Sequence, residues 1–457
     1  MSLKAKFQQT TQNGFIRSVS VLVSGTAFAQ ALMVLVLPIL TRLYTPEDFS
    51  VLAVYAALLG IISVAACLRL DVAIPMPQKD EDAANLFALA LSFTIITASI
   101  TTLVVLFLST EFMVEVGLEA LLPYIWMLPA GILFAGSYSS LQFWATRKKA
   151  FPFVAKTRMT QATAAATSQV GLGWFGLTPF GLLFGQMLSS GSGVLGLGKR
   201  MWMEDRSVLR AISIAEMRHL LHEYRRFPQY STFESLANSA AIQLPVIIIA
   251  SLAIGPEAGF LMLAMRVMQA PMGLIGGAIA QVYLSRAPEE FRKGNLGPFT
   301  ATIFGGLLKT GVGPLVFAGI VAPDVFALIF GEEWRRAGVL VMWMTPWFIM
   351  QFLSSPISMA LHVTNNQRTA LYLQAFGLAL RVGFVFAAAE FSRSNISEVY
   401  AVSGLIFYCA YIVFIIRSIK CSLSDCLKES KSGIPYVLAW VAFGLLASFI
   451  FEVINFP

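Results

Sequence analysis

Apolar stretches of about twenty residues recur along the whole chain, separated by short polar segments. Each is long enough to cross a hydrocarbon core of about 30 Å as an α-helix. The first six lie at 15–40, 50–68, 84–109, 120–145, 157–176 and 178–198. Six more lie at 229–253, 256–283, 297–321, 339–362, 371–391 and 397–416, and a last one at 434–454. The pattern predicts an all-α polytopic membrane protein. The longest polar break, between Lys199 and Phe227, divides the spans into two sets of six. The expected organisation is a six-helix lobe over 1–198, a linker over 199–228, a second six-helix lobe over 229–416, and a loop with an accessory thirteenth helix over 417–457.

Inside the linker, Ser213 and Glu216 have capping-box spacing, which predicts a helix beginning near Ile214. Leu209, Ile212, Met217, Leu220, Leu221 and Tyr224 give it an apolar side, while Arg210, Arg218, Arg225 and Arg226 are basic. That combination predicts an amphipathic segment lying among anionic headgroups, with a docking site for a partner protein as the alternative. The two halves also echo each other. LPILTRLYTPEDF follows the first span and LPVIIIASLAIGPEAGF the seventh, each leading to a turn with Pro-Glu, at Pro46-Glu47 and Pro256-Glu257. A six-plus-six duplication is a common transporter plan, with binding sites between the repeats.

Composition removes the soluble alternatives. Of 457 residues 57% are hydrophobic and 12% charged, and the mean hydropathy is +0.73. The net charge of +7 would suit nucleic acid, but the basic residues sit in alternate loops. Taking the N-terminus as cytoplasmic, 25 Lys and Arg fall in inside loops against four in outside loops, a bias that sets this orientation. The start, MSLKAKFQQTTQNGFIRS, has no cleavable signal pattern, so the first span is expected to remain as an anchor. Cys67, Cys409, Cys421 and Cys426 fit no zinc spacing and are expected as free thiols.

The candidate chemistry is cationic. Arg266, Lys309 and Arg381 lie within spans eight, nine and eleven, where charge is costly and faces a cavity or a partner. Met262, Gln269, Gly259, Gly273 and Gly277 share the face of Arg266; Gly305 and Gly313 flank Lys309; Gly377 and Gln374 precede Arg381. Such faces line either a cavity or a tight interface. Three cations without matching acids suggest an anionic guest, with pairing or snorkelling as the structural alternative. Glu234, with Asn238 one turn on, is an acid inside a span and the candidate for coupling to protons or sodium. His219, His222 and Glu223 read as a solvated helix face rather than a metal pair, and His362 stands alone at a helix end. Gly171, Gly173, Gly176, Gly181 and Gly185 read as close-packing positions. No nucleotide-binding, metalloprotease or serine-hydrolase motif occurs, and no cofactor is expected.

Three stretches carry a family resemblance. They are LTRLYTPEDFSVLAVYAALLGIISVAACLRLDVAIPMPQKDEDAANL, FPQYSTFESLANSAAIQLPVIIIASLAIGPEAGFLMLAMRVMQAPMGLIGGAIAQVY and IFGEEWRRAGVLVMWMTPWFIMQFLSSPISMALHVTNNQ. Together they are similar to bacterial polysaccharide flippases of the Wzx type. The resemblance implies a MATE-like fold, two six-helix lobes around a central cavity opening alternately to each side of the cytoplasmic membrane. It implies a non-enzymatic role, moving undecaprenyl-diphosphate-linked oligosaccharides outward for O-antigen, capsule or exopolysaccharide synthesis, with polysaccharide polymerase and export proteins as partners. Arg266, in AMRVMQ, falls on the matching pattern; Lys309 and Arg381 rest on helical spacing alone. A multidrug or peptidoglycan-precursor exporter of the same superfamily is the alternative. A membrane polymerase is less favoured, because the largest outside loop expected, 322–338, is short.

Overall fold

The computed structural model describes the backbone of residues 3–364, 366–419 and 423–454 and most of the side chains within them. All regular structure in those residues is helical. Each predicted span falls on a helix. In the first half these are α1 (Leu3–Leu43), α2 (Pro46–Ala66), α3 (Asp80–Phe107), α4 (Met127–Arg147), α5 (Phe151–Trp174) and α6 (Phe180–Glu204), the last interrupted at Ser192. The linker contributes α7 (Ile214–Glu223). The second half holds α8 (Thr232–Leu252), α9 (Glu257–Arg292), α10 (Leu296–Phe330), α11 (Arg335–Ser354), α12 (Gln367–Phe391), α13 (Ile396–Ser418) and α14 (Leu423–Ile454). Among the described residues ten helices are long and apolar enough to cross a membrane. Helices α4 and α5 have the length but are more polar. The chain is a multi-pass membrane protein.

By packing it forms two compact units, one of Met1–Tyr44 with Val54–Gln243, the other of Thr45–Ala53 with Leu244–Pro457. In the first, α5 lies against α1 and α6, and α4 against α3 and α6. Of the glycines expected to pack closely, Gly173, Gly181 and Gly185 do, while among the described residues nothing lies within 4 Å of where a side chain at Gly171 or Gly176 would begin. Gly173 and Gly181 abut the ring of buried Tyr44, whose hydroxyl donates to the Gln169 carbonyl at 2.7 Å, and Gly185 abuts the Gln169 side chain. The connecting turns are clamped by charge. Arg147 donates to Asp80 at 2.8 Å and to the Pro77 carbonyl at 2.6 Å, and Lys148 bridges Asp80 and Asp205 at 2.7 and 2.9 Å. Burial pulls the Lys148 pKa down, but the Asp205 and Asp80 carboxylates outweigh it and raise the ammonium above the ordinary lysine value.

The linker helix starts where the capping box places it. Ser213 Oγ accepts from the Glu216 amide at 3.2 Å, and the Ser213 amide donates to buried Asn85 on α3 at 2.9 Å. Its apolar side differs from expectation in what it meets. Leu220 is buried, and Leu209, Ile212, Met217, Leu221 and Tyr224 close over a core of Leu70, Ile74, Leu86, Trp144 and Met201 in the same unit. The arginines remain exposed. A segment this amphipathic finds its own bundle end before it finds lipid. Because one cap fixes the helix start, Ser213→Ala should cost about 1 kcal/mol locally. The check is limited trypsin digestion at the linker arginines, which should quicken about fivefold.

In the second unit α11 is central, in contact with α9, α10 and α13. Pro-Glu opens a helix in both echoed segments: Pro46 begins α2 and Pro256 precedes α9, each with glutamate in the first turn. The Gly259 amide donates to Ser50 Oγ at 2.8 Å, and a side chain at 259 would strike the Pro46 carbonyl. The outside loop expected over 322–338 is mostly helical, since α10 runs to Phe330 and α11 starts at Arg335, with the chain reversing at Gly331 (φ 113°). Helix α14 lies on α10, where Trp440 sits against Gly313 and Phe317 stacks on Phe443 at 5.1 Å. Its outward residues, among them Leu438, Leu446 and Phe449, are exposed, as a lipid-facing helix requires.

Candidate functional site

The three in-span cations have three different surroundings. Arg266 stands on α9, half-buried with its Nη1 enclosed, and Gln269, Gly273 and Gly277 are exposed along the same face. Among the described residues nothing lies within 4 Å of where a side chain at Gly277 would begin. The opposite side of the helix is packed, with Leu261, Ala264 and Met268 buried. Towards the start of α9 the face closes, because Gly259 is covered by Pro46 and Ser50. Arg266 therefore sits where an otherwise packed helix turns an open, small and polar face.

Lys309 is exposed on a π-helical turn, Leu308–Val312, within α10. Such a turn inserts a residue and re-aims the side chains around it. The glycine beyond it, Gly313, receives Trp440, and a side chain begun at Gly433 of α14 would stand 3.8 Å from Lys309 Cγ.

Arg381 is enclosed. It is 4% exposed and lies over the rings of Phe407, Trp347 and Tyr408, with centroid distances of 4.6, 5.7 and 5.7 Å. Two glycines make room for this cage: a side chain at Gly377 would meet Phe407, and one at Gly404 would meet Trp347. The small residues beside Arg381 belong to a tight interface.

Glu234 and Asn238 are both exposed, one turn apart on α8. His219 is exposed beside Glu216 at 3.4 Å. Cys67 and Cys409 are free thiols; Cys421 lies outside the described residues, as do the side chains of Cys426 and His362. Sequence reasoning passed over three acids. Asp71 is buried, accepting from Ser139 Oγ at 2.5 Å, after a break in which Leu68 and Arg69 adopt left-handed backbone (φ 49° and 58°). The signal was available as a charged pair, Arg69 and Asp71, inside an apolar run. Glu257 and Glu398 are buried and share Arg336, at 2.8 and 2.6 Å.

A family described as polysaccharide biosynthesis protein matches residues 39–339, from the end of α1 into α11. The chain belongs to this family. No curated protein matches its sequence. Its fold is similar to that of lipid II flippase MurJ in an inward closed conformation, with a TM-score of 0.62 and 14% identity over 95% of this chain and 98% of that one. It is also similar to a multidrug resistance MATE family transporter of the MOP superfamily in an inward-facing conformation, with a TM-score of 0.53 and 15% identity over 89% and 99% of the two chains. A MOP superfamily transporter from Pyrococcus furiosus gives a TM-score of 0.53 and 14% identity over 89% and 96%. At such identities the likeness carries the fold, which is the MATE-like one the family resemblance implied. The family match includes Arg266, Lys309, Glu234, Asn238 and Gln269, and ends before Arg381.

Proposed function

We propose that this family member is a flippase that moves undecaprenyl-diphosphate-linked oligosaccharide units across the bacterial cytoplasmic membrane by alternating access, for surface polysaccharide synthesis. The observation that carries the reading is Arg266, a guanidinium on the open face of α9 inside the family-matched region. Such a guest joins a polar glycan to a lipid tail through a diphosphate, so the protein must offer the dianion a partner away from bulk water. Arginine suits this, since its planar fork donates two parallel hydrogen bonds to phosphate oxygens. Gln269 and the open glycines beside it provide a polar wall without bulk. Lys309 adds a second, exposed positive charge, while Arg381 acts through its packing. Glu234 with Asn238 is the proposed site of response to protons or sodium. With the N-terminus cytoplasmic, an inside-negative potential favours outward movement of a dianion by about 4.6 kcal/mol per 100 mV.

Arg266→Ala should lower export about tenfold or more, the loss of a charge-assisted contact, while membrane insertion stays normal. Arg266→Lys should restore it in part. The measurement is surface polysaccharide in a strain whose own flippase is deleted, together with the lipid-linked intermediate left on the inner leaflet. Full polysaccharide from Arg266→Ala would remove Arg266 from the guest site. Rescue of peptidoglycan-precursor export instead would place the protein with the lipid II exporters.

A further inference from the structure

The first unit also carries a polar face, on α5. Between Lys156 and Thr167 the exposed residues of α5 are Lys156, Thr160, Thr163 and Thr167, and helical geometry places them within an arc of about 60° over about 17 Å. With Met159, Ala164, Ser168 and Phe28 of α1 they line an open groove of about 690 Å³.

Lipid-facing positions in the same molecule look different. The exposed face of α3 offers Ile95, Ile96, Ile100, Leu103, Val104 and Phe107, and that of α14 is equally apolar. Between Lys156 and Thr167 the exposed face of α5 has no large apolar residue. A membrane-length helix with this face borders water or a polar guest rather than acyl chains.

The chemistry of the strip is specific. Thr160 and Thr163 donate their hydroxyl protons to the carbonyls of Thr157 and Met159 at 2.9 Å, and Ser168 donates to Ala165 at 3.0 Å. What these hydroxyls offer the groove is acceptor lone pairs, with the Lys156 ammonium as donor at one end. Acceptors are of no use to phosphate oxygens and match a guest rich in O–H donors. The Phe28 ring, 45% exposed, provides an apolar platform for the C–H faces of sugar rings.

We infer that the Lys156–Thr167 strip of α5 is a contact for the glycan portion of the proposed guest. The inference rests on the flippase reading and assigns the sugar a site of its own.

The test is binding to the purified full-length protein. One probe is the lipid-linked oligosaccharide extracted from the host strain deleted for this gene; the other is undecaprenyl diphosphate. The triple variant Thr160→Val, Thr163→Val, Thr167→Val should bind the first about tenfold more weakly and the second unchanged. The corresponding triple serine variant should bind both as wild type does, which separates hydroxyl chemistry from shape. Wild-type affinity of the valine variant for both probes, or equal weakening for both, overturns the strip. A wild-type protein that binds neither probe overturns the flippase reading itself, and the strip with it.

Discussion

Arg336→Ala should lower the stability of the protein by about 3–5 kcal/mol, the cost of removing one partner from a buried ion pair. The arginine reaches two carboxylates from different helices, Glu257 at the start of α9 and Glu398 at the start of α13, at 2.8 and 2.6 Å. The two glutamates are only 8% and 11% exposed at the side chain, and Glu398, which meets Arg336 through Oε1, has no hydrogen-bond partner for Oε2 among the described residues. Without the guanidinium two buried carboxylates would lose their counter-charge together. The loss should appear as a lower melting temperature in detergent and less folded protein in the membrane. Adding Glu257→Gln and Glu398→Gln to Arg336→Ala should recover much of it, since the uncompensated charge is then gone. A melting curve for Arg336→Ala that overlays wild type would show that the triad contributes little.

Some of this architecture is legible along the chain and some is not, and the dividing line is range. The long apolar helices, the start of α7 at Ser213 and the packing glycines Gly173, Gly181 and Gly185 are local matters of period, cap and size. Where the apolar side of α7 goes is not local. The pattern shows only that it must be covered, and Leu70, Trp144 and Met201 reach it from three other segments. Arg336 and its partners are separated by 79 and 62 residues, so no window of sequence holds them. The strip on α5 is the opposite case. Its four polar residues stand at helical spacing in plain view, but lipid and cavity faces separate only once α3 and α14 display what lipid-facing residues look like. Arg381 is the clearest ambiguity. Small neighbours fit a cavity wall and a tight interface equally well, and the rings that decide between them come from α11 and α13.

That decision leads to an expected contrast between two arginines of the same unit. Arg381→Ala should act on stability. It removes a desolvated cation from three aromatic faces, about 2 kcal/mol or more, and leaves a cavity beside Phe407 that side chains locked by Gly377 and Gly404 cannot readily fill. Arg381→Met, which keeps apolar volume but no charge, should recover the cavity part and not the cation–π part. Both should lower the melting temperature and the yield of folded protein, and the fraction that does fold should bind undecaprenyl diphosphate as wild type does. Arg266→Ala should show the reverse, a normal melting temperature with weakened diphosphate binding, because its side chain is half-buried on an open face. Measuring both properties in both variants tests each assignment against the other. If Arg381→Ala melts like wild type and loses the diphosphate, the aromatic cage opens to the guest, and Arg381 joins Arg266 in holding it.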